Sequence, residues 1–307
     1  MRKIIVIAGT TATGKTETAI KLAKKINGEI ISADSRQIYK GMDIGTNKPD
    51  ASHLRQIKHH LIDIVEPNRY FSAGDFSSAA KEIIKDILAE HKTPIVVGGT
   101  GFYIKSLTEG LIESYKSDLL REKLIQSKNK YGINYLVKRL QRLDPQKASV
   151  IDLKNPVRVI RALEIRILSG RRFSDLISDT DKPEYQFLFF GLFMDRQKLY
   201  EKINKRVDCM IEKGLIEETK FLLEKYRHDS KIIFSTIGYK ELSDYLSGRC
   251  DLDTAVEMIK KNTRNYAKKQ ITWFSKVKKI KWIDADDTPV TKILNYIRES
   301  GIIKNCD

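Results

Sequence analysis

At 307 residues, 41% of them hydrophobic, the chain is too long for one minimal module and has enough apolar material for a full core. Lysine and arginine number 56 against 40 aspartates and glutamates; the resulting +16 suits a polyanionic partner, although lysine-rich solvated faces produce the same excess. Cys209, Cys250 and Cys306 show no paired spacing, which argues against a disulfide framework or zinc knuckle, and no apolar run approaches the ~20 residues of a membrane span.

Met1-Arg2-Lys3 runs directly into an apolar strand pattern, Ile4 to Ala8, without a small-residue cleavage site, so a cytoplasmic location is expected. A glycine loop follows, then a helix from Lys15 to Ile26 with Ala19, Leu22, Ala23 and Ile26 on one stripe. Further short apolar runs are Glu29 to Ala33, Leu61 to Val65, Pro94 to Val97, Phe187 to Phe193 and Ile280 to Ile283. Their alternation with helical patterns predicts a P-loop-like α/β fold, a parallel sheet flanked by helices. His59 and His60, beside Lys58, read as a turn before the third strand, and Asp63 as a strand position near a turn.

Between residues 115 and 185 strand signals vanish, which predicts an all-α insertion within a core made of 1–114 and 186–307. Asn155, Pro156 and Gly170 mark a helix by N-cap, first-turn proline and terminal glycine, with Val157, Ile160, Leu163 and Ile167 as its core face and Arg158, Arg161 and Arg166 at its flank. After the sheet resumes, Asp195 opens a helix whose stripe is Leu199, Ile203, Val207, Met210 and Ile211, closed by Gly214.

The strongest local motif is G-T-T-A-T-G-K-T, comprising Gly9, Thr10, Thr11, Ala12, Thr13, Gly14, Lys15 and Thr16, between a strand and a helix. Glycines let successive N–H groups turn inward around a phosphate; Lys15 adds a cation, the Thr16 hydroxyl is a candidate Mg²⁺ ligand, and the helix N-terminus adds partial positive charge. The motif leaves the phosphate compound open. A small-molecule kinase would use Asp34, at the end of the second strand, to organise Mg²⁺.

Three longer strings narrow this choice: S-A-D-S-R-Q-I-Y-K-G-M-D-I-G-T-N-K-P at 32–49, G-G-T-G at 98–101 followed by Phe102-Tyr103, and T-R-N-Y-A-K-K-Q-I-T-W-F at 263–274. In this order they resemble the tRNA dimethylallyltransferases over almost the whole chain. The resemblance implies that the loop holds dimethylallyl diphosphate as donor, that the acceptor is an adenosine N6 in the tRNA anticodon stem-loop, and that the enzyme is a bacterial-type monomer, since the C-terminal zinc module of eukaryotic relatives is absent. It further implies Asp34 as general base, with a cap of the following turn as its alternative, and Thr100 as a contact to the adenosine. Arg206, on the helix opened by Asp195, would clamp the diphosphate; by position alone it could equally snorkel at the stripe's edge.

Transfer chemistry needs these parts: the adenine must leave its stack and lose an N6 proton, and cations must meet the charge growing on the leaving group. By the same resemblance, tRNA contacts fall on Asp34, Ser35, Arg36, Gln37, Thr100, Arg121, Val157, Arg158, Val159, Ile160 and Arg161. The late helix adds Arg264, Lys268 and Lys269 as RNA-facing cations, with Tyr266, Trp273 and Phe274 read mainly as core. Thr10 and Thr13 stand where the family usually has proline and serine, and neither change removes a glycine, the lysine or the magnesium ligand.

Overall fold

The structure, a computed structural model, describes residues 3–110, 115–178, 184–226 and 230–300. Its elements begin with β1 (Lys3–Gly9), α1 (Lys15–Lys25), β2 (Gly28–Ser32), α2 (Ala51–Gln56), β3 (His59–His60), α3 (Ala73–Ala89), β4 (Thr93–Gly98) and α4 (Gly101–Glu109). A helical stretch follows: α5 (Asp118–Tyr131), α6 (Ile133–Leu143), α7 (Pro145–Val150), α8 (Pro156–Ser169) and α9 (Phe173–Ser178). The chain then runs through β5 (Gln186–Phe193), α10 (Arg196–Glu212), α11 (Leu215–Tyr226), α12 (Lys231–Ser235), α13 (Tyr239–Leu246), α14 (Leu252–Phe274), β6 (Ile280–Asp284) and α15 (Pro289–Glu299).

The six strands form one parallel sheet in the order β3-β2-β4-β1-β5-β6. Continuous apolar runs in β1, β2 and β4 reflect burial on both faces, as a parallel sheet between helices requires. Ile5, Ile7, Ile30, Ile95, Val97, Phe190 and Leu192 form one core with Ala19, Leu22 and Ala23 of α1 and Ile293 and Ile297 of α15. The alternating partners Ile4, Val6, Ile31 and Val96 are fully buried as well, with α3 packed on β2 and β4 and α14 on β1. Because the chain enters the sheet at β1 and adds strands first on one side and then on the other, the loops after β1, β2 and β4 meet at one carboxyl edge, where open α/β sheets bind ligands.

The third strand departs from expectation. Only His59 and His60 pair with β2; from Leu61 (φ 61°) to Asp63 (φ 57°), both left-handed, the chain bends, and Val65 forms an isolated parallel bridge with Tyr39. Asp63 is therefore not in a strand; it forms an ion pair with Lys48. The histidines are the strand itself: His60 Nε2 lies 2.6 Å from Oε2 of the buried Glu29 on β2. Leu61 is buried while Ile64 is exposed, so the apolar run tracks a packed turn.

The chain divides into two compact units, residues 1–108 with 184–307, and 109–183. The helical unit has its own core of Leu124, Leu136, Leu140, Ala148, Val159, Ile160, Ala162 and Leu163. Buried Asp144 organises it: Oδ1 caps α7 through Lys147 N (3.0 Å) and Oδ2 accepts from Phe173 N (2.8 Å). The α8 boundaries follow the local signals, with Asn155 Oδ1 accepting from Val157 N (3.0 Å) and Gly170 left-handed at the C-cap. Val157, however, is 74% exposed and does not belong to the core face.

Candidate active site

β1 ends at Gly9, where a Cβ would lie 2.6 Å from the Leu192 carbonyl oxygen of β5, so the phosphate loop can leave the sheet only through a glycine. Ala12 (φ 66°) and Gly14 (φ 76°) are both left-handed, the alternation that turns backbone N–H groups toward a common centre at the start of α1. The loop is internally braced: Thr10 O accepts from Thr13 Oγ1 (2.9 Å) and from Lys15 Nζ (2.6 Å). Thr10 Oγ1 is buried without a partner among the described residues.

The second component follows β2. Beyond the β2–β4 ladder, Ala33 N donates to Val97 O (2.7 Å) and Thr100 N to Ala33 O (3.2 Å). This holds the residue before Asp34 against the glycine turn, and a Cβ on Gly98 would come within 2.1 Å of Ala33 O. Thr100 Oγ1 accepts from Ser35 N (3.0 Å) and donates to Ser35 Oγ (3.3 Å). Asp34 Oδ1 accepts from Arg36 N (2.9 Å) and Gln37 N (3.4 Å), so one oxygen does cap the following turn while Oδ2 has no hydrogen bond among the described residues.

The rest of the 32–49 segment is pinned from outside. Glu218 on α11 accepts from Asp43 N (3.1 Å), Ile44 N (2.8 Å) and Gly45 N (3.0 Å) and from Tyr239 Oη (2.7 Å). Gln37 Nε2 in turn donates to Asn47 O (3.0 Å).

Arg206 projects from α10 to the phosphate loop, where Nη2 donates to Thr11 Oγ1, and its Nε is buried without a partner among the described residues. It is therefore not a snorkelling side chain. Burial, together with the nearby Arg206 charge and against the pull of Asp34, brings Lys15 down to about 8. Burial likewise lowers Arg206 to about 10, opposed by Asp34. Neither cation has a salt bridge to a described residue, so two desolvated cations flank a nest of amides, an arrangement electrostatically complementary to a diphosphate.

α14 closes the site. Buried Gln270 links the phosphate loop to the glycine turn, accepting from Thr11 N and donating to Gly99 O, each at 2.9 Å. Tyr266, one turn earlier, lies in hydrogen-bond reach of Thr100 and Gln270, and burial followed by the Asp34 charge raises its hydroxyl to about 12. A Cβ on Gly101 would be 2.1 Å from Trp273 Nε1. Of the three aromatics assigned to the core, only Phe274 is buried; Tyr266 and Trp273 are each 38% exposed, although Trp273 lies against Gly101 and the Tyr266 hydroxyl sits near Thr100. Gln270 shares their face at helical spacing from Tyr266 and Trp273, the one sequence signal for its place in the site.

The other expected RNA contacts separate into groups. Arg36 and Gln37 stand beside Asp34; Lys268 and Lys269 are exposed on α14; Arg264 donates to Asn204 Oδ1 on α10 (2.6 Å). In the helical unit, Val159 and Ile160 are buried core residues packed with α5 and α6, whereas Val157 and Arg158 are exposed. Arg121 and Arg161 both bind Glu164 Oε2, at 2.8 and 2.7 Å.

No group of three or more histidine, cysteine, aspartate or glutamate side chains able to hold a metal occurs among the described residues. Thr16 follows Lys15 at the head of α1, where its hydroxyl is an oxygen donor of the kind Mg²⁺ takes.

Fold and site together define a P-loop-like α/β protein in which a cation-flanked loop stands beside a carboxylate. A profile described as "IPP transferase" matches residues 37–277. The chain is 46% identical over 299 residues to a tRNA dimethylallyltransferase of Alkaliphilus metalliredigens, spanning 96% of each chain, and 46% identical over 311 residues to one from Acetivibrio thermocellus, spanning 98% of this chain and 99% of the other. Among solved structures it is similar to the tRNA isopentenylpyrophosphate transferase of Bacillus halodurans (TM-score 0.73, 39% identity, 97% and 96% covered). It is also similar to a eukaryotic dimethylallyltransferase solved acting on tRNA (TM-score 0.87, 30% identity, 100% and 82% covered). The chain belongs to the IPP transferase family and is a prenyltransferase. The kinase alternative is set aside.

Proposed function

We propose that the chain transfers the dimethylallyl group from dimethylallyl diphosphate to N6 of the adenosine 3′ to the anticodon in tRNA, releasing diphosphate. The observation that carries this reading is the juxtaposition of Asp34 and Thr100 with a phosphate loop flanked by the desolvated cations Lys15 and Arg206. N6 attacks the allylic C1, the C–N bond forms as the C–O bond to diphosphate breaks, and the electron pair leaves on the diphosphate. Lys15, Arg206 and the loop amides stabilise that growing charge more than the ground state, which lowers the barrier. The N6 proton passes to Asp34, whose Oδ1 is held by the turn amides so that Oδ2 serves as acceptor.

A bound Mg²⁺ would be held by the Thr16 hydroxyl and diphosphate oxygens and would supply further charge neutralisation. Thr100, Ser35, Arg36 and Gln37 would orient the extruded adenosine, while Lys268, Lys269, Arg158 and Val157 offer exposed contacts to the anticodon stem-loop. Among the described residues no helix is long and apolar enough to cross a membrane. A tRNA substrate implies action in the cytoplasm.

The test combines Mg²⁺, labelled dimethylallyl diphosphate and unmodified tRNA, using wild type and Asp34→Asn. Label should appear on tRNA adenosine without ATP, and the variant should be slower by at least about a hundredfold, the scale of a lost general base, with donor binding retained. Failure to label RNA would reject the reading, and equal turnover by the variant would reject the role of Asp34.

A further inference from the structure

The β1–β4 ladder pairs Ala8 with Gly98 and goes no further. Beyond it the chains part, one into the phosphate loop and α1, the other through the glycine turn into α4. Gln270 reaches into this divergence from α14, with its oxygen on Thr11 N and its nitrogen on Gly99 O. Gln270 is only 5% exposed, and its bond to Gly99 O is buried while that to Thr11 N is partly so. A carboxamide suits the position because one end accepts and the other donates in the same plane.

Neither end has slack. A Cβ on Gly99 would lie 2.2 Å from Gln270 Nε2, so the turn meets the carboxamide at the closest approach that glycine permits. Thr11 is held twice, by Gln270 at its amide and by Arg206 at its hydroxyl. Its N–H is thereby committed to protein, and the amides that can face a phosphate are those farther along the loop.

We propose that Gln270 is a positioning residue that sets the spacing between the donor-phosphate loop and the acceptor turn, holding the allylic carbon and the adenine amine at attack distance. This rests on the reading above, in which the loop takes the diphosphate and Asp34 and Thr100 face the adenosine. Displacement of reacting groups by ~1 Å costs on the order of a hundredfold in rate. A residue that sets spacing without touching either substrate should therefore act on kcat and spare both KM values.

The experiment measures kcat and both KM values for wild type, Gln270→Ala and Gln270→Glu, with thermal melting as a fold control. Gln270→Ala should lower kcat by about thirty- to a hundredfold, with each KM changed by less than about threefold. Gln270→Glu retains volume and keeps the proposal testable if the alanine variant does not fold. Its ionised carboxylate repels Gly99 O, whereas the protonated acid donates to it, so its kcat relative to wild type should climb as pH falls from about 8 to 6. An unchanged kcat, a loss confined to the KM of one substrate, or a pH-independent ratio would each overturn the role. An active wild type beside an equally active variant defeats only this inference, whereas a wild type that transfers nothing to tRNA defeats it together with the reading on which it rests.

Discussion

Lys15 combines two opposing demands. The proposed reaction needs it charged to hold a diphosphate, yet burial and the Arg206 charge lower it from the ordinary 10.5 to about 8. In the free enzyme the ammonium is fully charged below that pH and is lost as pH rises through it. We expect kcat/KM for the donor to fall by up to tenfold per unit above about pH 8. Bound diphosphate stabilises the charged form, so kcat at saturating donor should persist to higher pH; a pH profile of both constants checks this. The same shift has an inverse effect on folding. Between about 8 and 10.5 the unfolded chain binds more protons at this lysine than the folded one, so its contribution to stability rises with pH there. In the proposed reaction Asp34 would carry two roles, because one carboxylate oxygen caps a turn and leaves the other open to a substrate proton. Sequence presented capping and catalysis as alternatives, whereas the two oxygens of one carboxylate leave room for both.

Elements with strong local terminators were legible. α8 begins at Asn155-Pro156 and stops at Gly170 because capping is decided within a few residues, and α10 begins at Asp195 for the same reason. β3 was misplaced because an apolar run describes burial, not extension, and left-handed Leu61 and Asp63 ended the strand after two residues. The arginines of the helical unit were visible, but their common partner was not. Glu164 is buried; burial pushes its carboxyl upward, and hydrogen bonds from Arg161, Arg121 and the Ser117 amide outweigh that and hold it below the usual range. Glu164→Ala should destabilise the helical unit by about 1–3 kcal/mol, less than a fully buried pair because both arginines retain some hydration. Denaturant melts would reveal this, and a change within error would show that the two ion pairs add nothing to the stability of the unit.

Across the whole molecule, the +16 charge is compatible with RNA binding but does not locate it. Exposed Lys268 and Lys269 are the clearest candidates for phosphate contacts on α14, whereas Arg264 is engaged by Asn204. Replacing each lysine by alanine should weaken tRNA binding across sequences and reduce the slope of log K against log salt by about 0.7–0.9 for every phosphate that is no longer neutralised. Titrations at several salt concentrations test this, and an unchanged slope would move the RNA surface elsewhere. The phosphate loop and the parallel α/β plan were available from sequence because each rests on contiguous residues with a local chemical purpose, whereas the candidates Asp34, Thr100 and Arg206 came from the resemblance to a family carried by three separated strings. Only tertiary structure determined that Gln270 joins two loops, that Glu218 anchors the 43–45 turn and that Tyr266 and Trp273 face the glycine turn while Val159 and Ile160 face a core. Those outcomes depend on which side chains the sheet order and helix packing bring within hydrogen-bond or van der Waals range, and separation along the chain carries no record of that distance.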